Sequence, residues 1–168
     1  MSDFWHRHLV ESVIKNRNDL NEKIIVEQPY NFYGSRGFID IYVKSIGGYL
    51  RYYEIKPFIE DLGGAIRQLK GAKAAMSDER FKKNRYIILT SYLTEENINI
   101  IINNINILKC VDENFIINFY DIEEKSFSFN PFLVDDIKEL FKKIKNSHFI
   151  ICKNEDIKNK ILEEKQNG

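Results

Sequence analysis

Three side chains within a short stretch could do chemistry together: Asp40, Glu54 and Lys56. They lie in GFIDIYVKSIGGYLRYYEIKP, residues 37–57, which is dense in β-branched and aromatic residues and is broken by Gly47-Gly48. Two strands joined by a three-residue loop, Ile46-Gly47-Gly48, with a glycine free to take positive φ, fit that pattern. Pairing Ser45 with Tyr49 and counting back sets Asp40 directly opposite Glu54. Such cross-strand Cβ atoms lie about 4.5–5.5 Å apart, where like charges repel. A cation between them would relieve that repulsion. Paired carboxylates are hard oxygen ligands suited to Mg²⁺ or Mn²⁺, ions that keep several waters of their own. Lys56, two residues past Glu54, points to the same side. The set could hold a phosphodiester, activate a water and offset the charge that develops on hydrolysis. A solvated hairpin face with a Lys56 ion pair is the bland alternative. Phe38, Tyr42, Leu50 and Tyr52 make the acidic face too apolar for that.

The elements that must position these residues follow from pattern. Residues 3–17 carry Trp5, Leu9 and Val13 at helical spacing, and EKIIVEQ (22–28) reads as a strand. PYNFYGSRG (29–37) reads as an aromatic-rich loop. In the hairpin 37–57, alternation puts Ile39, Ile41 and Val43 on one face and Phe38, Asp40, Tyr42 and Lys44 on the other. A helix is expected from Asp61 to about Met76, with Ile66, Leu69 and Ala72 on its stripe. RYIILTSY (85–92) is a buried strand, and Thr94 opens a helix that carries Ile98, Ile101, Ile105 and Leu108. NFIINFYDIEEKSFSFNPF (114–132) reads as a second hairpin turning at 122–125. A helix over 133–146 (Val134, Ile137, Phe141, Ile144), a short apolar run HFIIC (148–152) and a charged helix over 154–165 close the chain. The fold class expected is α/β (α+β), a mixed central sheet in one domain, 1–168. Its αβββαβ core spans 3–92 and its C-terminal hairpin and helices 110–165.

Asp40, thirteen intervening residues, then Glu54-Ile55-Lys56, placed on the second and third strands of that series, resembles the PD-(D/E)xK nuclease superfamily with its restriction-endonuclease-like fold. Ile39 stands where the name-giving motif has proline. The resemblance implies that Asp40, Glu54 and the backbone carbonyl of Ile55 bind Mg²⁺ or Mn²⁺, that Lys56 assists water attack, and that cleavage leaves a 5′-phosphate. It implies a further acid from the first helix, for which Glu11 is the matching position. An ion-pair ladder of Glu11 with Arg7 and Lys15 is the ordinary alternative, and Glu27 at the end of the first strand competes for the role. Gln68-Leu69 resembles the Gln-Leu element that several branches place behind the lysine, although Ala72 and Lys73 stand where a tyrosine would follow.

Arg67, Lys70, Lys73, Arg80, Lys82, Lys83 and Arg85 concentrate positive charge next to this site on a chain whose 25 basic and 25 acidic residues cancel overall. With Arg36 in the aromatic segment they form a candidate track for phosphates, of DNA first and RNA as the alternative. His6 and His8, two residues apart, face different ways and make a poor metal pair. Two cysteines, Cys110 and Cys152, fit a reducing compartment. No segment is apolar enough to span a bilayer, and the cytoplasm, or a host cytoplasm for a viral protein, is the expected location. A metal-dependent deoxyribonuclease is the function expected, of the kind seen in small junction resolvases or viral nucleases, with a restriction enzyme as runner-up. The competing class is an inactive nucleic-acid-binding or assembly module of the same fold. A twofold dimer stays open.

Overall fold

The computed structural model describes residues 3–17, 21–57, 59, 62–76, 83–91, 95–121, 126–127 and 131–145. Helix α1 (Asp3–Asn16) is followed by β1 (Glu22–Phe32), β2 (Ser35–Ser45) and β3 (Tyr49–Lys56). Helix α2 (Gly63–Met76) leads to β4 (Lys83–Ser91), then α3 (Glu95–Asn103), α4 (Ile105–Val111) and β5 (Ile116–Asp121). The short strands β6 (Ser126–Phe127) and β7 (Phe132–Leu133), a 3-10 turn at Val134–Asp136 and α5 (Ile137–Lys145) complete the described chain. The sheet runs β1-β2-β3-β4-β5-β6, with β7 also on β5. Pairing is antiparallel from β1 to β3, parallel across β3, β4 and β5, and antiparallel again at β6 and β7. The αβββαβ core that the resemblance implies is present, and the C-terminal hairpin and helix follow it. No helix among the described residues is long and apolar enough to cross a membrane.

Two apolar layers flank the sheet. Leu9, Val10 and Val13 of α1 pack on Ile41, Val43, Tyr53, Ile55, Ile87 and Leu89. On the opposite side Ile66, Leu69 and Ala72 of α2, with Ile98, Ile101, Leu108 and Ile137, cover Leu50, Tyr52, Tyr86 and Ile88. β4 shows why a continuous apolar run such as RYIILTSY makes a strand here: Tyr86 and Ile88 face one layer, Ile87 and Leu89 the other, so both faces are buried.

Three sequence expectations change. The segment 29–37 is a tight hairpin rather than a loop: β1 continues to Phe32, and Tyr33 and Gly34 turn the chain at φ 49° and 86°. Positive φ at both central residues matches the right-handed twist of the flanking strands. The helix expected to run through Ile98, Ile101, Ile105 and Leu108 breaks at Asn104, whose side-chain amide donates to the Ile100 carbonyl at 2.7 Å. Its own cap position is non-helical, in line with the tendency of Asn to compete for backbone partners.

The third change bears on function. Ile39 does not share a face with Ile41 and Val43. It packs with Tyr52 and Leu69, whereas they pack with Leu9 and Val13. β1 changes over in step, since Ile24 lies against the α1 layer and Tyr30 in the α2 layer. The cause lies between the pairs Val26↔Ile41 and Gln28↔Ile39, where Glu27 and Asp40 fall opposite each other but form no rung. Glu27 has φ 54°, a conformation costly for a non-glycine residue, and one such residue shifts the alternation by a step. The distal half of the β1–β2 hairpin therefore turns over and lies against α2. The segments at 122–125, 148–152 and 154–165 lie outside the described residues.

Candidate active site

β2 and β3 pair from Lys44↔Leu50 to Ile41↔Tyr53, in the register counted from Ser45 and Tyr49, and no rung follows. Gly48 takes φ 91° to close the connecting loop. Beyond Ile41 the strands part, and Asp40 fills the gap: its Oδ2 accepts the Ile55 backbone N–H at 2.8 Å. Its other oxygen lies 3.1 Å from Nε2 of His6 on α1. One carboxylate thus replaces a missing ladder acceptor and ties the first helix to the sheet.

Glu54 stands beside it at 5% exposure, and among the described residues its Oε1 has no hydrogen-bond partner. Burial, then the neighbouring Asp40 charge, pushes its carboxyl up to about 9, against opposing pulls from Lys56 and the Asp40 backbone N–H. A divalent cation bound here would have to displace the proton that this environment favours, and its charge would offset both the burial and the Asp40 repulsion. Lys56 is half-buried at the end of β3, level with Thr90 on β4. Among the described residues no three His, Cys, Asp or Glu side chains converge as a metal set. A pair of carboxylates with an orphaned oxygen suits an ion held by one or two acids plus water and phosphate. The donor chemistry therefore fits Mg²⁺ or Mn²⁺.

The remaining candidates separate. Glu11 is exposed on α1. It lies five residues from His6, about 140° around the helix at 3.6 residues per turn. His6 is the α1 residue that meets Asp40, although its spacing from His8 makes the two a poor metal pair. Its signal was its spacing: His6, Leu9, Val10 and Val13 form one inward stripe. Glu27 is opposite Asp40 in register but exposed. Gln68 is held at the site's flank: its Oε1 accepts the Tyr30 hydroxyl at 2.8 Å and the Phe38 N–H at 3.2 Å. Arg36, Arg67 and Lys70 are exposed. Lys73 gives its ammonium to the carbonyl of Val111, the last residue of α4, and lies over the Tyr86 ring. That ammonium serves a helix C-terminus. Arg80 and Lys82 lie outside the described residues.

No protein-family model and no curated protein sequence matches the chain. Solved structures do resemble it. An XisH family protein from Nostoc punctiforme superposes with a TM-score of 0.50 at 14% identity, over 76% of this chain and 98% of that one. A fdxN element excision controlling factor protein from Anabaena variabilis gives 0.46 at 15% identity, over 77% and 98%. The first of these likenesses supports the α+β architecture with its mixed sheet and flanking helices.

Proposed function

We propose that this protein is a divalent-metal-dependent nuclease of the PD-(D/E)xK kind that hydrolyses DNA phosphodiester bonds. The observation that carries the proposal is Glu54, a buried carboxyl with an orphaned oxygen beside Asp40. Purely structural packing would favour an apolar residue there, because an unpaired buried polar atom costs about 1–3 kcal/mol.

In this reading Asp40 and Glu54, with the Ile55 carbonyl, hold Mg²⁺ or Mn²⁺, which when bound supplies Lewis-acid stabilisation and a lowered water pKa. Asp40 is kept in place by the Ile55 N–H and His6, so its carboxylate does not have to be ordered when substrate arrives. Lys56 orients the attacking water or meets the charge building on the phosphate. Arg67 and Lys70, exposed on α2, bind flanking phosphates without reading sequence. Cleavage leaves a 5′-phosphate, and cutting both strands of a duplex is met most simply by two copies related by a twofold axis.

The test offers supercoiled, linear, single-stranded and four-way-junction DNA to the wild type and to Glu54→Ala, with Mg²⁺, Mn²⁺ or EDTA. Cleavage that needs metal and is lost in Glu54→Ala is the expected result. Equal cleavage by both proteins contradicts it. Metal-independent binding with no cleavage assigns the chain to the inactive binding class.

A further inference from the structure

Where the distal hairpin turns over onto α2, it leaves a cleft of about 630 Å³ lined by Pro29, Tyr30, Asn31, Arg36, Phe38 and Gln68. Among the described residues no carboxylate lines it. Phe38 is 59% exposed although it lies only two residues from Asp40, and Pro29 and Tyr30 add apolar surface. The back wall is built tightly. Cβ atoms placed at Gly71 or Gly37 would come within 2.6 Å of the Tyr30 ring, so both glycines are needed for that ring to lie between β2 and α2. Tyr30 in turn fixes Gln68. The Phe38 N–H can only donate, so the amide oxygen of Gln68 must face it and the Tyr30 hydroxyl. The Gln68 NH₂ is left over, and among the described residues it donates to nothing.

The cleft adjoins the carboxylates. Burial raises the Tyr30 hydroxyl pKa, Arg67 pulls it down, and the charge of Glu54 raises it further, which places Tyr30 within electrostatic reach of both. An apolar slot with one spare amide donor, an arginine at its rim and a second beside it is complementary to a planar, acceptor-bearing ring on a phosphate chain.

We infer that this cleft takes an unpaired nucleobase next to the scissile phosphate, stacked on Phe38 and contacted by the Gln68 amide, with Arg36 on the adjoining phosphate. The inference rests on the nuclease reading for the position of the phosphate. A stacked base and a rim arginine would make the protein select nucleic acid with an unpaired nucleotide over fully paired duplex.

The experiment measures binding of the full chain, in EDTA so that nothing is cut, to two oligonucleotide duplexes by fluorescence anisotropy. One is fully paired. The other carries a single unpaired 2-aminopurine, whose own fluorescence reports stacking. The wild type is expected to prefer the unpaired duplex by about tenfold, in the range of one base–aromatic stack, with quenching of the 2-aminopurine. Phe38→Ala, a substitution at an exposed position, is expected to lose both, while thermal melting confirms that it folds. A wild type without preference, or a Phe38→Ala protein that retains it, overturns the inference. So does concentration-dependent self-association of the wild type that Phe38→Ala abolishes, which would assign the cleft to a second copy. Metal-dependent cleavage is scored separately. Preference without cleavage would sink the nuclease reading and leave the cleft, and cleavage without preference would do the reverse.

Discussion

Asp40 and Glu54 look equivalent in the motif and are not equivalent in energy. Asp40 has two protein partners, and removing its side chain strands the Ile55 N–H. Asp40→Ala should therefore lower metal-free stability by about 1–3 kcal/mol, measured by urea denaturation. Glu54 has burial and a neighbouring charge against it. A carboxyl whose folded pKa is raised from 4.5 to about 9 binds its proton more tightly folded than unfolded, so its contribution to stability falls as pH rises through that window. Glu54→Gln removes the charge and keeps the shape. Melting of the two proteins without metal should nearly coincide at about pH 5, and the variant should gain by pH 9. A gain of about 1 kcal/mol is worth roughly 2–4 °C at this chain length. A gap that stays constant with pH would mean that Glu54 is ionised throughout.

At the scale of elements, the changeover at Glu27 and Asp40 decides where the site and its flanking cleft lie. Most of the sheet was legible in the sequence because alternation and turn residues are local signals: the 37–57 hairpin, its loop and its register from Lys44–Leu50 to Ile41–Tyr53 follow from them, whereas the expected Asp40–Glu54 rung does not form. The phase shift was not legible. It depends on one positive φ at Glu27, a residue with no intrinsic preference for that conformation, and it goes with the packing of Tyr30 against Gly71 and Gly37. The same contact hid the role of Gly71, which inside a helix reads as a weak point. Gly→Ala in a helix interior ordinarily gains up to about 1 kcal/mol. Here a Cβ would meet the Tyr30 ring at 2.6 Å, and overpacking costs about 1–3 kcal/mol. Gly71→Ala should therefore destabilise the wild type and stabilise a Tyr30→Ala background, a reversal that a double-mutant cycle by chemical denaturation would display. The same sign in both backgrounds would show that the Tyr30 contact does not govern this helix.

For the molecule as a whole, the site needs three layers at once. α1 brings His6, the parting of β2 and β3 sets Asp40 beside the buried Glu54, and α2 carries Gln68 and its exposed cations along one flank. A second fastening holds α1 at its far end: Arg17 grips Glu22 through two nitrogens, at 2.6 and 3.1 Å, and donates to the Tyr53 hydroxyl at 3.2 Å. The family resemblance read from Asp40, Glu54 and Lys56 anticipated the mixed sheet and its flanking helices. It offered Glu11 as the contribution of α1 because a motif supplies residue types without helix phase, and phase is what points His6 inward and Glu11 outward.

Titration of Mn²⁺ into the protein by calorimetry at neutral pH, in two buffers of different ionisation enthalpy, tests the central claim most directly. The account predicts saturable binding with close to one proton released per ion, because a cation must displace the proton that Glu54 holds at about 9. Glu54→Gln should bind far more weakly and release none. Undiminished binding by Glu54→Gln, or no binding by the wild type, would contradict it.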